Sequence, residues 1–205
     1  MLSQLTDWVI QIVESLGYAG VALLVILENV FPPIPSEVVL ALAGFTASRG
    51  DASLTGMILA ATVGSVVGAW MDYGVAALFG PGPLRALVQR YGRWVRITER
   101  DLDTAERWFE RWSTLAVLIG RCVPLVRSLI SIPAGFSRMK LAPFTFYTAA
   151  GSLVWNSIFV TAGFLLGERW ETVLGYANYF EVATLAVMLV GVAYVASRLA
   201  RRRLA

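Results

Sequence analysis

Two glutamates and two arginines lie in the most apolar parts of this sequence. Glu28 and Glu37 bracket a proline-rich turn, Phe31-Pro32-Pro33-Ile34-Pro35-Ser36. Arg121 and Arg127 bracket Pro124, inside the otherwise uncharged run from Leu115 to Phe136. A guanidinium presents a planar fork of donors that grips phosphate bidentately. A nearby carboxylate can compete for that fork or exchange a proton with it. These residue types therefore read in two ways, as structural salt bridges or as an anion-binding site. Asp72 is a third carboxylate in an apolar run, spaced with Ala60, Gly64, Gly68, Ala76 and Gly80 at every fourth position. Such spacing suits a helix-packing stripe, and a place in a proton relay is the alternative. Ser36, Ser131 and Asn156 are the uncharged polar residues expected to line a cavity around these charges, although Asn156 would equally serve as a hydrogen bond between helices.

What must position these groups follows from composition. Of 205 residues, 57% are hydrophobic and 15% charged, against roughly 45–50% and about 25% in soluble domains. Mean hydropathy is +0.66. The chain is thus expected to be an all-α integral membrane protein. It has no His and a single cysteine, Cys122, so His-based acid–base chemistry, a His-ligated metal and an intramolecular disulfide are excluded; no metal or cofactor is expected. No phosphate-binding loop of the ATPase type occurs. The net charge of +3 comes from arginine, since Lys140 is the only lysine, and reads as a topology signal rather than a nucleic-acid footprint.

Gaps between charges mark the spans. Leu141 to Gly167 carries no charge and Ser53 to Gly80 carries only Asp72; either exceeds the roughly 20 residues a bilayer crossing needs. Val182 to Ser197 and Val9 to Leu27 complete about four crossings. Seven arginines in 85–111 and four in 198–203 point to the cytoplasm, as do Arg138 and Lys140. Parity then requires 113–137 to begin and end on one face, and 31–50 likewise on the other. Each is too short for two crossings, so two opposed re-entrant hairpins are expected. Pro35 and Glu37 lead to Ala43-Gly44-Phe45, and Pro124 and Arg127 lead to Ala134-Gly135-Phe136. This echo suggests an inverted repeat with broken helices meeting at mid-membrane, a transporter design. The expected organisation is one domain over 1–205, comprising a first half 1–80, an amphipathic connector 81–112 and a second half 113–205. In the connector, Pro83 opens a helix with Leu84, Leu87, Val88 and Tyr91; Thr98 with Asp101 caps another with Leu102, Ala105, Trp108, Phe109 and Trp112. Both suit helices lying in the interface, or a solvated linker packed on the bundle.

Four stretches carry a resemblance. Glu28-Asn-Val-Phe-Pro-Pro-Ile-Pro35-Ser-Glu37, Gly120-Arg121-Cys-Val-Pro124-Leu-Val-Arg127, Pro133-Ala-Gly135-Phe-Ser-Arg-Met139-Lys-Leu-Ala-Pro-Phe144 and Gly151-Ser-Leu-Val-Trp155-Asn resemble the DedA family of bacterial membrane proteins, whose eukaryotic relatives are the VTT-domain lipid scramblases. The resemblance implies transport of a polyprenyl phosphate, notably undecaprenyl phosphate recycling across the bacterial cytoplasmic membrane, or phospholipid scrambling. It also implicates Glu28, Glu37, Arg121 and Arg127. One departure is that Tyr73 is followed by Gly-Val-Ala-Ala, without the arginine the family often carries there.

The expectation is therefore a lipid-phosphate flippase, with the head at the arginines, the tail in an open lateral path, and coupling to protons through Glu28, Glu37 or Asp72. Its partners would be the lipid substrate and membrane lipids, with no nucleic acid, and a homo-oligomer stays open as the working unit. Alternatives are a non-specific phospholipid scramblase, or a prenyl pyrophosphate phosphatase using Ser36, Ser128 or Ser131; no serine has an evident base beyond Glu37. The topology is checked by single cysteines in a Cys122-free background. Arg96→Cys and Arg202→Cys are expected to label only from the cytoplasm and Asp51→Cys only from outside, whereas opposite labelling of 96 and 202 removes the parity argument.

Overall fold

The computed structural model describes residues 2–30, 36–82, 85–86, 88–89, 99–124 and 126–169. The proline run 31–35, Pro83 with Leu84, Leu87 and Tyr91, the cap at Thr98, the span expected at 182–197 and the C-terminal arginines lie outside the described residues. Among the described residues every regular element is helical. In chain order these are α1 (Leu2–Leu16), α2 (Tyr18–Val30), α3 (Ser36–Ser48), α4 (Leu54–Phe79), α5 (Glu99–Arg121), α6 (Val126–Leu129), α7 (Ser131–Phe136) and α8 (Leu141–Leu166).

Two helices dominate. α4 and α8 each have 26 residues, uncharged apart from Asp72, or about 39 Å at 1.5 Å per residue. Both are long and apolar enough to cross a membrane. Ser53 begins α4 by accepting a hydrogen bond from the Gly56 N–H at 3.0 Å, which satisfies one of the orphan donors of the first turn.

The single span expected over Val9 to Leu27 is not formed; two helices replace it. Gly17 takes φ +54° between α1 and α2, and its N–H closes the last turn of α1 onto the Val13 carbonyl. Only glycine enters that region without a Cβ penalty. The hydrophobicity runs straight through the break, so the pattern alone conceals it. The helical arms around the proline run are consequently 18–30 and 36–48, and the first of them occupies residues expected to belong to a span. In the connector, the expected helix around Trp108 and Phe109 is present but runs on into α5, with non-helical geometry at Trp112 (φ −121°, ψ 17°) where the charged segment gives way to the apolar one.

The exterior is apolar, and the interior combines an apolar core with buried polar and charged groups. Leu59, Val63, Val75, Leu78 and Phe79 on α4 and Phe146, Val154, Ile158 and Leu165 on α8 are exposed. Glu28, Asn29, Ser65, Arg121, Arg127, Ser131, Thr148, Ser152 and Asn156 are buried. Large apolar side chains outside and polar ones inside suit a hydrocarbon solvent. On α5, Trp108, Trp112, Leu115 and Ile119 form an exposed stripe at helical spacing, while Phe109 is buried.

α2 packs along α4, and α5 along α8; α3 packs along α8, and α7 along α4. α4 and α8 also meet each other. The α3–α8 crossing is the tightest. A Cβ on Gly44 would meet the Val160 carbonyl oxygen and lie 2.6 Å from the Phe164 nitrogen, and one on Gly163 would meet the Ala41 carbonyl oxygen. Small residues at such crossings let backbones approach where no hydrophobic effect drives helices together. Gly44→Leu is expected to cost about 1–3 kcal/mol or more through overpacking and to lower the melting temperature in detergent by several degrees. Gly74→Leu, whose added Cβ meets nothing within 4 Å, should melt like the wild type; equal shifts would show that the crossing is not close-packed.

Candidate functional site

The C-terminal end of α2 delivers Glu28 and Asn29 to the interior, and the end of α5 delivers Arg121. The short α6 delivers Arg127 and Ser128, and α7 begins with Ser131. Breaking the chain at Pro124 is what brings both arginines inward. The Cys122 and Val123 amides close onto Ile119 and Gly120, and α6 restarts with the Arg127 amide on the Val123 carbonyl. Irregular backbone of this kind is tolerated in a membrane protein where protein or a wet cavity surrounds it.

Arg127 and Glu28 form the central contact. Nη2 of Arg127 donates to Oε1 of Glu28 at 2.6 Å, with both side chains buried. The Arg127 guanidinium also lies over the Trp155 ring of α8, 5.5 Å from its centroid, which adds a cation–π attraction strengthened by desolvation. Ser128 Oγ donates to the same Glu28 oxygen at 3.4 Å. The second Glu28 oxygen has no hydrogen-bond partner among the described residues.

Arg121 is held differently. It is 2% exposed, and its partners are neutral: Nη1 donates to Asn29 Oδ1 at 3.3 Å and Nη2 to Ser131 Oγ at 2.7 Å. Its Nε has no partner among the described residues. Gly151 permits the approach of α8, because a Cβ there would lie 2.7 Å from Cβ of Arg121. The two carboxylates and two guanidiniums could neutralise each other as two pairs; among the described residues one such pair is formed here. Glu37, in the first turn of α3 and half-buried, makes no hydrogen bond or ion pair among the described residues. It is nonetheless close enough for its charge to act on Glu28. Asn29 and Ser131 instead take the two terminal nitrogens of Arg121 that a second carboxylate would grip.

Asp72 belongs to the same electrostatic group, since the charges of Arg121 and Glu28 act on it. It is half-buried, and its Oδ2 has no partner among the described residues. The small residues around it are a packing stripe: a Cβ on Gly64 would contact Ala22 and one on Gly68 would contact Asn29. Ser131 is a partner of Arg121, beyond lining the interior. Ser36 is buried with an unpaired Oγ among the described residues. Asn156 bridges helices, its Nδ2 donating to Thr62 and Ser65 of α4 at 3.2 and 3.4 Å. Sequence reasoning missed Asn29 and Trp155 as contacts of the arginines. Asn29 had a signal in its adjacency to Glu28 on an apolar helix; Trp155 had none beyond its place in an uncharged span.

An apolar exterior, broken helices and buried arginines mark the class as a helical membrane protein. The VTT-domain family model matches residues 34–165, and the chain belongs to this family, the DedA family of bacterial membrane proteins. It is 41% identical over 88% of its length to a protein of Lactococcus lactis subsp. cremoris named "Alkaline phosphatase-like protein", 85% of which is covered. It is 30% identical over 94% of its length to undecaprenyl phosphate transporter A of Staphylococcus aureus, with 95% of that protein covered. Protein DedA of Escherichia coli is 26% identical over 67% of this chain and 62% of its own length. No solved structure matches.

Removing one member of a buried pair strands the other, at about 3–5 kcal/mol. Glu28→Gln is therefore expected to lower thermal stability in detergent well below that of Glu37→Gln, which should stay near wild type. The double variant Glu28→Gln/Arg127→Gln should recover part of the loss, and equal melting of the two single variants would show that the pair carries no special weight.

Proposed function

We propose that the protein carries a polyprenyl phosphate across the bacterial cytoplasmic membrane, with the phosphate held by Arg121 and Arg127. The observation that carries this reading is the pair of buried guanidiniums in a bundle whose exterior is apolar. One is tied to a carboxylate and the other only to an amide and a hydroxyl. A phosphate can replace all three kinds of partner through charge-assisted bonds, roughly twice as strong as neutral ones. The name of the Staphylococcus aureus relative supports the choice of lipid.

Charge arithmetic supports proton coupling. Glu28, Glu37 and Asp72 present three carboxylates to two guanidiniums, so an arriving phosphate meets net repulsion unless a carboxylate takes up a proton. Glu28 is the effective position, because a proton there releases Arg127 directly. Glu37 and Asp72 would act at longer range. Ser36 would lie alongside as a hydroxyl donor, whereas Asn156 serves the contact between α4 and α8.

The cross-packing of the helices supports two opposed re-entrant hairpins related as an inverted repeat. In each half one arm packs on that half's own long helix (α2 on α4, α5 on α8), and the other packs on the partner's (α3 on α8, α7 on α4). Gly44 and Gly135 take equivalent places, against α8 and α4 respectively. The whole chain then acts as one domain, with 81–112 connecting the halves, the C-terminus cytoplasmic and the unit working singly or as a homo-oligomer; the cytoplasmic N-terminus read from a span over Val9 to Leu27 loses its basis with that span. Such symmetry would let the site face either leaflet in turn.

A phosphatase reading draws on the Lactococcus relative's name and on the 3.4 Å contact between Ser128 and Glu28. The 2.6 Å bond from Arg127 to the same oxygen opposes it, since it holds Glu28 as the counter-ion of a guanidinium rather than as a base for the serine.

The test is exchange of labelled undecaprenyl phosphate between leaflets of proteoliposomes, with and without a pH gradient. Exchange above protein-free vesicles is expected, accelerated by protons on the loading side. Arg121→Lys and Arg127→Lys keep the charge but lose the fork, and should bind roughly ten- to a hundredfold more weakly. Unchanged exchange in both lysine variants would reassign the arginines to structural neutralisation, and release of inorganic phosphate from prenyl pyrophosphate would favour the enzyme.

A further inference from the structure

The exterior carries two open grooves along α4 that share Val30. One, of ≈ 390 Å³, lies between α1 and α2 with Met71 and is lined wholly by apolar residues such as Trp8, Leu16, Leu23 and Leu27. The other, of ≈ 550 Å³, lies between α4, α7 and the end of α2, and includes Asp72 with Val30, Val75, Phe79, Ile132 and Phe136.

We infer that the larger groove is the lateral portal through which the hydrocarbon chain of an anionic lipid leaves the charged site for the bilayer. This rests on the reading of Arg121 and Arg127 as the phosphate site. Three facts favour this groove over the apolar one. Its wall residues adjoin the site in the chain: Val30 follows Asn29, and Ile132 follows Ser131, the two partners of Arg121. Asp72, the charged residue of its lining, lies on α4 one turn beyond Gly68, which packs against Asn29, so the groove opens next to the helix crossing that carries a partner of Arg121. Its two sides come from the two halves of the chain, α4 from the first and α7 from the second. A relative movement of the halves would widen or close this groove, whereas the smaller one is built from the first half alone.

The occupant is a hydrocarbon chain rather than a partner helix. Val30, Val75 and Phe79 stay 47%, 55% and 70% exposed, and the groove ends at a carboxylate that a helix face would have to desolvate without a partner. A flexible chain attached to the phosphate fills the apolar wall and runs past Asp72 without covering it. Asp72 then repels the phosphate itself, which favours a head that remains at the arginines while its tail occupies the portal.

The experiment uses the full-length protein in liposomes and a long-chain prenyl phosphate bearing a diazirine in its tail. An uncharged prenyl alcohol carrying the same diazirine is the control for general lipid contact. Peptides containing Val75–Phe79 and Ile132–Phe136 are expected to be labelled by the phosphate at least about tenfold more than by the alcohol, the advantage that about 1.4 kcal/mol of head anchoring confers. Excess unlabelled prenyl phosphate should abolish that difference. Leaflet exchange is measured in the same vesicles. Exchange without selective labelling, or selective labelling around Trp8, Leu23 and Leu27, overturns the portal and leaves the phosphate site standing. Absence of both exchange and selective labelling overturns both.

Discussion

The bond between Arg127 and Glu28 ties the two halves of this protein together at the point where their charges would otherwise be intolerable. A charged side chain at membrane depth costs roughly 2.5–3.5 kcal/mol on insertion scales. Arg127, Glu28 and Arg121 are all buried in a bundle with an apolar exterior. Their mutual placement is therefore a condition on every element that supplies them. α2 must end where α6 begins, α5 must break at Pro124, and α8 must pass close enough for Trp155 to lie under Arg127.

The same constraint explains the distribution of small residues. Drawing α5 against α8 requires Gly151 beside Arg121, and drawing α2 against α4 requires Gly68 beside Asn29. Between lipid-facing helices there is no hydrophobic driving force, so packing and polar contacts supply the attraction. The interior accordingly holds hydroxyls and amides, such as Thr62, Ser65 and Asn156, linking α4 to α8. The buried centre is thereby polar while the lipid-facing flanks of α4 and α8 are apolar.

The asymmetry between the arginines gives the site its working character. Arg127 is neutralised by an ion pair and stacked on an indole, while Arg121 has only neutral partners. The electrostatic group extends to Glu37 and Asp72 without direct bonds among the described residues. Three carboxylates to two guanidiniums is the charge balance on which the proposed coupling to protons rests.

From sequence alone, the class of protein follows, as do the two long helices and the charged residues that must be inside. Each is a property of a single residue or of an uninterrupted run, since a charge in an apolar run must turn inward to a partner or water whichever neighbour supplies it. The echo of Ala43-Gly44-Phe45 in Ala134-Gly135-Phe136 likewise stands in the sequence. The break at Gly17 does not announce itself, because a left-handed glycine leaves the apolar run intact. Partner choice is also hidden. Arg127 and Glu28 are 99 residues apart, and Arg121 and Asn29 are 92 apart. Charge complementarity permits either arginine to pair with either glutamate, and side-chain reach across the packed helices selects one. Only tertiary structure sets that reach, which is why it alone decided that Asn29 and Ser131, rather than a second carboxylate, hold Arg121.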